Sequence, residues 1–312
     1  MVYDWAEGGI FPIAKLHLIA VALSLLLLTN LNAVSFGQTA QDPAKPFTLT
    51  LTITDKSGRY VGGVRKDQIT LLDQERPQEI ISVQKTDLPL SVGFLFDASI
   101  PKSEVGKISQ DALVKFMTDG NPANEYFLMG FDSQTYLATN FTGNLNQMAK
   151  AFDDLRKIKP SNNRSVYDAI QSSMKTVEAG QHAKHAIVLV SGDKDSASTL
   201  KYEALLDQLK RLDVLLYAIQ TKPGNASSTV LSELTSVTGG AAFNPKTPAY
   251  FADAFEIIGL ELRHQYTVEY TPESSATEAW HSLHFQVKPL QLKDSVTVPL
   301  FARSRTGYYT RP

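Results

Sequence analysis

Apolar residues and threonines alternate strictly over residues 47–54 (FTLTLTIT). Phe47, Leu49, Leu51 and Ile53 fall on one face and four threonines on the other, the period of a half-buried strand. After the turn Asp55-Lys56-Ser57-Gly58, Tyr60-Val61 begins a second short run. Residues 68–72 and 79–84 predict further strands, separated by the polar stretch 73–78. The pattern returns beyond residue 264. Strands are expected at 266–270, 280–287 and 296–300, with Leu283, Phe285 and Val287 on one face. Short strands at both ends of the chain predict a small β-sandwich that the chain leaves and later re-enters.

Between these ends the period changes. Residues 90–97 (LSVGFLFD) are almost continuously apolar, as a strand covered on both faces requires. Val105, Ile108, Ala112 and Phe116 follow at helical spacing. Strands are then expected at 125–131, 136–141 (an antiparallel neighbour), 185–190, 214–219 and 241–243. Helices are expected at 145–158, 166–178, 200–212, 230–237 and 248–264, with Gly239-Gly240 as a helix stop. This alternation predicts a doubly wound, mostly parallel, Rossmann-like α/β sheet with helices on both faces. Its binding crevice would lie beyond the carboxyl ends of the strands, at Asp97, residues 161–165 and residues 191–195.

Ahead of the first strand, residues 18–28 (LIAVALSLLLL) form an apolar run of eleven, shorter than the roughly 20 residues a membrane-spanning helix needs. Lys15 and His17 precede it, and Ser35-Phe36-Gly37 places small residues before a cleavage point at Gln38, which reads as a secretory signal. The expected organisation is a signal peptide at 1–37, a polar linker at 38–45, an N-terminal β segment at 46–87, the α/β domain at 88–264, and a C-terminal β segment at 265–312 completing the β domain. The expected location is extracytoplasmic, periplasmic or secreted, with membrane involvement only through the export signal.

Composition narrows the chemistry. Thirty Lys and Arg against 32 Asp and Glu leave a net charge of −2, which removes the electrostatic argument for nucleic acid. The absence of cysteine excludes disulfides, thiolate metal sites, iron–sulfur clusters and thiol catalysis. His281 and His284, three apart on a strand, face opposite sides and cannot chelate together; His182 and His185 flank a turn, and His264 ends a helix. No Gly-x-Ser-x-Gly elbow, phosphate-binding loop or dinucleotide fingerprint occurs. Asp97 stands where an aspartyl-phosphate enzyme keeps its nucleophile, but Ser99 replaces the second Asp of such sites. Asp153-Asp154 and Asp193-Asp195 read as solvated faces or loop carboxylates. The chain is therefore expected to be no enzyme and to carry no cofactor.

Asp97-Ala98-Ser99, the order of elements, Tyr167-Asp168-Ala169 opening a helix and residues 187–195 (IVLVSGDKD) resemble a von Willebrand factor A domain. The flanks sharpen the likeness: Thr54-Asp55-Lys56-Ser57-Gly58-Arg59, the run Asp73-Gln74-Glu75-Arg76-Pro77-Gln78, and the ending Arg305-Thr306-Gly307-Tyr308-Tyr309 are similar to the bacterial, acidobacterial-type VWFA-related family. The resemblance covers about residues 46–312. It implies an exported protein-binding module, of adhesion or scaffold type, with the A domain set between β segments.

Metal-binding A domains carry a metal-ion-dependent adhesion site, Asp-x-Ser-x-Ser with a Thr and an Asp from two further loops. Position by position, Asp97 and Ser99 match, but Pro101 replaces the second Ser, Arg164 the Thr and Gly192 the last Asp. A one-residue slide would use Ser165 and Asp193, against the frame fixed by Tyr167-Asp168 and Val190-Ser191. Mg²⁺ wants octahedral oxygen ligands, and a guanidinium beside it would be repelled. Arg164 is expected instead to pair with Asp97 and fill the vacated place. The resemblance thus implies a degenerate, metal-free adhesion site. The alternative is a residual Mg²⁺ site on Asp97 and Ser99, helped by Asp193. A protein partner is expected, its acidic group drawn by Arg164, Lys102 and Lys194. Oligomeric state is left open.

Overall fold

The computed structural model describes residues 46–85, 87–192, 194–221, 227–272, 277–291 and 297–310. The expected signal peptide and linker lie outside the described residues, as does Asp193.

The central strand sets the architecture. β5 (Leu90–Asp97) is buried at every position, because it has parallel neighbours on both sides and helices above and below. The strands before it are β1 (Phe47–Asp55), β2 (Ile69–Asp73), β3 (Arg76–Gln78) and β4 (Ile80–Lys85). After it come α1 (Glu104–Asp119), β6 (Glu125–Phe131), β7 (Thr135–Thr142), α2 (Leu145–Lys157), α3 (Val166–Val177), β8 (Lys184–Ser191), α4 (Tyr202–Arg211), β9 (Val214–Gln220), α5 (Ser227–Thr238), β10 (Ala242–Phe243) and α6 (Pro248–His264). These build a six-stranded sheet in the order β10-β9-β8-β5-β6-β7. All its pairings are parallel except the antiparallel edge strand β7 on β6.

Alternate residues of β5 feed two apolar layers. Val92, Phe94 and Phe96 pack with Leu113 and Phe116 of α1, Met148 and Phe152 of α2, and Phe255 and Ile258 of α6. Leu95 joins Ile170 and Met174 of α3, Leu205 and Leu209 of α4, and Leu234 of α5 on the other face. Helix α5 stops where the sequence places Gly239-Gly240. Gly239 has φ +87°, and a Cβ on Gly240 would lie 1.9 Å from the Leu216 carbonyl oxygen.

The chain ends return as strands: β11 (Tyr266–Tyr270), β12 (Trp280–Val287), β13 (Leu290–Gln291), β14 (Thr297–Val298), β15 (Leu300–Arg303) and β16 (Gly307–Tyr309). Two four-stranded sheets result, β15-β1-β11-β4 and β16-β12-β2-β3. They enclose Leu49, Leu51, Ile53, Leu71, Val268, Tyr270, Leu283 and Phe285, so the two chain ends together supply a β-sandwich. β4 and β11 are antiparallel neighbours, with Lys85 opposite Tyr266. The chain therefore leaves the sandwich and re-enters it at one strand pair.

Three details depart from the sequence expectations. The polar stretch 73–78 holds a hairpin, because β3 folds back on β2 through Gln74 and Glu75 at φ 50° and 61°. That turn normally asks for Asn-Gly, and the left-handed conformation costs other residues about 1 kcal/mol or more each. The strand expected at 296–300 is divided into β14 and β15, residue 296 lying outside the described residues. The threonine face of β1 is not simply solvated. Thr52 is buried and donates to Glu261 Oε1 of α6 at 3.0 Å.

Glu261 joins the helical layer to the sandwich. The residue is 2% exposed. Its Oε1 also accepts from Tyr217 Oη at 2.8 Å, and Arg303 of β15 pairs with the same oxygen. Gln265 Nε2 donates to Thr52 Oγ1 at 3.1 Å within the same cluster. Among the described residues, no helix is long and apolar enough to cross a membrane.

Candidate functional site

The carboxyl ends of the parallel strands meet three loops, as expected for this sheet. β5 delivers Asp97 to that edge with 1% exposure. The chain then turns, and Ser99 folds back on it: its N–H and its hydroxyl both donate to Asp97 Oδ1, at 2.9 and 2.7 Å. The other carboxylate oxygen faces the second loop, where Arg164 Nε donates to Oδ2 at 2.6 Å. The same guanidinium donates from Nη1 to the carbonyls of Ser161 and Asn163, at 2.5 and 3.0 Å. Arg164 is itself buried, 6% exposed. Its charge is therefore spent within the loop cluster, holding the first loop to the second.

The third loop is tied to the same residue through the backbone. Ser196 and Ala197 N–H donate to the Arg164 carbonyl, at 2.8 and 3.1 Å, and Arg164 N–H donates to Ser196 Oγ at 2.8 Å. A reciprocal exchange follows at the start of α3. Ser165 occupies the N-cap position, but its hydroxyl donates to the Ser133 carbonyl. The cap comes from the third loop instead: Asp195 Oδ1 and Ser198 Oγ accept from Tyr167 N–H, and Ser198 Oγ also accepts from Asp168 N–H. In return the Asp168 carboxylate accepts from Thr199 and Leu200 N–H, both at 2.8 Å. Asp195 is thus a loop carboxylate that caps the helix following another loop.

Asp132, at the end of β6, was not singled out from the sequence. It is 2% exposed and accepts from Ser161 N–H at 2.8 Å, Gln134 N–H at 3.1 Å and Tyr136 Oη at 3.0 Å. Burial pushes its carboxyl up, but the Ser161 and Gln134 amides and the Tyr136 hydroxyl outweigh burial and hold it below the ordinary range. The signal was an Asp following a buried strand inside the tight turn Asp132-Ser133-Gln134. A carboxyl lowered in the folded state stabilises at neutral pH, and that stabilisation is lost as pH falls through the lowered value. Asp132→Asn is expected to cost about 1–3 kcal/mol at pH 7. Urea midpoints of variant and parent should converge as pH falls through that lowered value and the parent carboxyl is protonated as well.

The remaining expected positions are placed as follows. Pro101 is buried, and Gly192 follows β8. Lys102 is exposed and donates to the Ile158 carbonyl at 2.7 Å; Lys194 is exposed on the third loop. Ser165 is turned toward Ser133, while Asp193 lies outside the described residues. The histidines stay apart. His182 Nε2 meets the Ala123 carbonyl, His264 Nδ1 the Leu260 carbonyl, and His281 Nδ1 the Asp73 carboxylate.

No family model matches the chain, and no curated protein matches it. Solved structures do. Proximal thread matrix protein 1 from the mussel byssus, in a form with a zinc-occupied MIDAS motif, is 13% identical with a TM-score of 0.50, over 62% of this chain and 50% of that one. The D319A mutant of the PilB minor pilin from Streptococcus sanguinis is 13% identical with a TM-score of 0.47, over 58% of this chain and 63% of that one. The vWF domain of the type V pili tip protein Mfa5 from Porphyromonas gingivalis is 9% identical with a TM-score of 0.41, over 56% of this chain and 95% of that one. The chain thus spans 63% and 50% of the pilin and byssus chains it matches. With its six-stranded sheet order and its helices on both faces, the α/β part of this chain has the fold of a von Willebrand factor A domain.

Proposed function

We propose that the chain is an exported, non-enzymatic protein-binding module of adhesion or scaffold type, whose A-domain site has exchanged a metal ion for the guanidinium of Arg164. The observation that carries this reading is the 2.6 Å contact from Arg164 Nε to Asp97 Oδ2. Both carboxylate oxygens of Asp97 are engaged, one by Ser99 and one by Arg164. Pro101 and Gly192 bring no side-chain oxygen, so the residues present fall short of an octahedral oxygen set. A divalent cation between Asp97 and Ser99 would also face a fixed positive charge. Arg164 acts in this reading as the tie that shapes the loops. The exposed cations Lys102 and Lys194 then carry the attraction for an acidic group on a protein partner. The acidobacterial-type VWFA-related family and an extracytoplasmic location belong to this proposal.

Thermal unfolding with EDTA and then with millimolar Mg²⁺, Mn²⁺ or Ca²⁺ tests the metal-free site. A bound cation at about 100 times its dissociation constant adds about 2.7 kcal/mol, worth roughly 5–10 °C in Tm. The expected shift is none. A shift of that size abolished by Asp97→Ala would overturn the reading in favour of a residual Mg²⁺ site. For a captured partner, Lys102→Glu with Lys194→Glu should slow association and weaken its salt dependence; unchanged association would remove both lysines from the interface.

A further inference from the structure

We infer that the β-sandwich carries an oxyanion-binding site in the pocket between the β2–β3 hairpin and β12, read by His281 with Arg76 beside it. This inference is independent of the A-domain reading, because none of its residues belongs to the three loops.

The pocket encloses about 260 Å³ and is lined by Asp73, Gln74, Arg76, Gln78 and His281. Its floor is an ordered set of polar groups. Asp73 is 4% exposed, and three donors converge on its carboxylate. Tyr270 Oη and Tyr308 Oη donate to Oδ2 at 2.9 and 2.8 Å, and His281 Nδ1 meets Oδ1 at 2.8 Å. Burial pushes both phenols above their ordinary range, so they stay protonated and donate. A ring nitrogen facing a carboxylate carries the proton, so the network assigns Nδ1 as a donor. Asp73 is thereby saturated and is no ligand for a cation.

The same bond orients the imidazole. The opposite ring edge, Nε2, makes no hydrogen bond among the described residues, although His281 lines the pocket. Nε2 is the outer nitrogen of a ring whose Nδ1 is held by Asp73, and Arg76 places a guanidinium at the same wall. The groups around the ring are Asp73 on β2, Tyr308 on β16 and Arg76 on β3, with Tyr270 of β11 sharing Asp73. The remaining charged residue of the hairpin, Glu75, sits at its tip.

The hairpin is held in place at a conformational cost. Gln74 and Glu75 both adopt positive φ, and Gln74 is strapped to β12 through N–H to the Ser282 carbonyl at 3.0 Å and Nε2 to the Trp280 carbonyl at 2.5 Å. Strained backbone fixed over a saturated carboxylate and an oriented imidazole is the arrangement of a preorganised site. Across Gln78 it adjoins a second depression, of about 370 Å³, lined by the Arg65–Asp67 ion pair and by Lys66. An oxyanion on a larger molecule could therefore extend past Gln78. The shared chemistry is a carboxylate or phosphate group, free or as an acidic side chain of a peptide.

The test is a histidine side-chain ¹⁵N NMR titration of the protein. The probes are acetate, inorganic phosphate and a capped hexapeptide containing glutamate, with chloride at matched ionic strength as control. The expected result is saturable movement of the His281 Nε2 signal with an oxyanion but not with chloride. Tighter binding of the peptide than of acetate or phosphate would identify a protein source; equal or tighter binding of the free ions would identify a small anion. His281→Asn keeps a donor toward Asp73 and removes the outer nitrogen. By isothermal titration it should weaken binding about tenfold or more, and Arg76→Gln about threefold to tenfold. No oxyanion-specific saturation in the parent protein, or equal affinity in the folded His281→Asn and Arg76→Gln variants, overturns the proposal.

Discussion

Arg164→Met is expected to destabilise the protein by about 3–5 kcal/mol in urea or guanidinium unfolding at pH 7. The reason is what the substitution leaves behind. Asp97 would stay buried as a carboxylate with only the Ser99 N–H and hydroxyl as partners. The Ser161 and Asn163 carbonyls would lose their guanidinium donor. The pair itself is worth far less than the cost of breaking it, because burying both charges already cost several kcal/mol of solvation. The double variant Arg164→Met/Asp97→Asn should therefore recover a large part of the loss, and the cycle should give a coupling of about 2 kcal/mol or more. A loss below about 1 kcal/mol for Arg164→Met would show that the Ser196 and Ala197 bonds to the Arg164 backbone hold the loops without the side chain.

Glu261→Ala should produce a loss of similar size, about 3–5 kcal/mol, at a site remote from the loops. Tyr217, Thr52 and Gln265 are buried and direct their donors toward Glu261 Oε1 or its immediate neighbours. Their desolvation cost falls due when the acceptor goes. Arg303, whose side chain is 38% exposed, loses the same acceptor. Glu261→Gln keeps an acceptor oxygen and should cost about half as much. If both substitutions change the urea midpoint equally, the acceptor count is not what matters, and the charge opposite Arg303 is.

The elements were legible where one period dominated. β5, β6, α6, β11 and β12 follow directly from apolar runs or clean alternation, because burial on two faces or on one leaves a pattern in the side chains. The Arg164–Asp97 contact followed from position: the residue type at a metal-ligand place had changed to one that carries its own charge. What stayed hidden depends on partners far along the chain. β3 lies in a polar stretch whose turn residues, Gln74 and Glu75, are not those a hairpin normally requires. Thr52 looked like a solvent-facing threonine until α6 supplied Glu261, 209 residues away. Asp195 and Asp168 are acidic residues in polar surroundings, and only the folded loops reveal that Asp195 accepts from Tyr167 N–H and Asp168 from Thr199 and Leu200 N–H. The Asp73 cluster draws on four strands, with no spacing in the sequence to announce it.

The strand pair through which the chain leaves and re-enters the sandwich sets a schedule for synthesis. Beyond the short bridge from Thr54 to Tyr60, β1 has no strand partner until β11 emerges, since Phe47 pairs with Tyr270. At about 5–20 residues per second, the roughly 220 intervening residues take on the order of 10–45 s to make. For that interval most of the alternating strand FTLTLTIT waits without its long-range partners, while every strand and helix of the six-stranded sheet is made. Synthesis therefore delivers the elements of the sheet before it delivers the strands that complete the sandwich around β1.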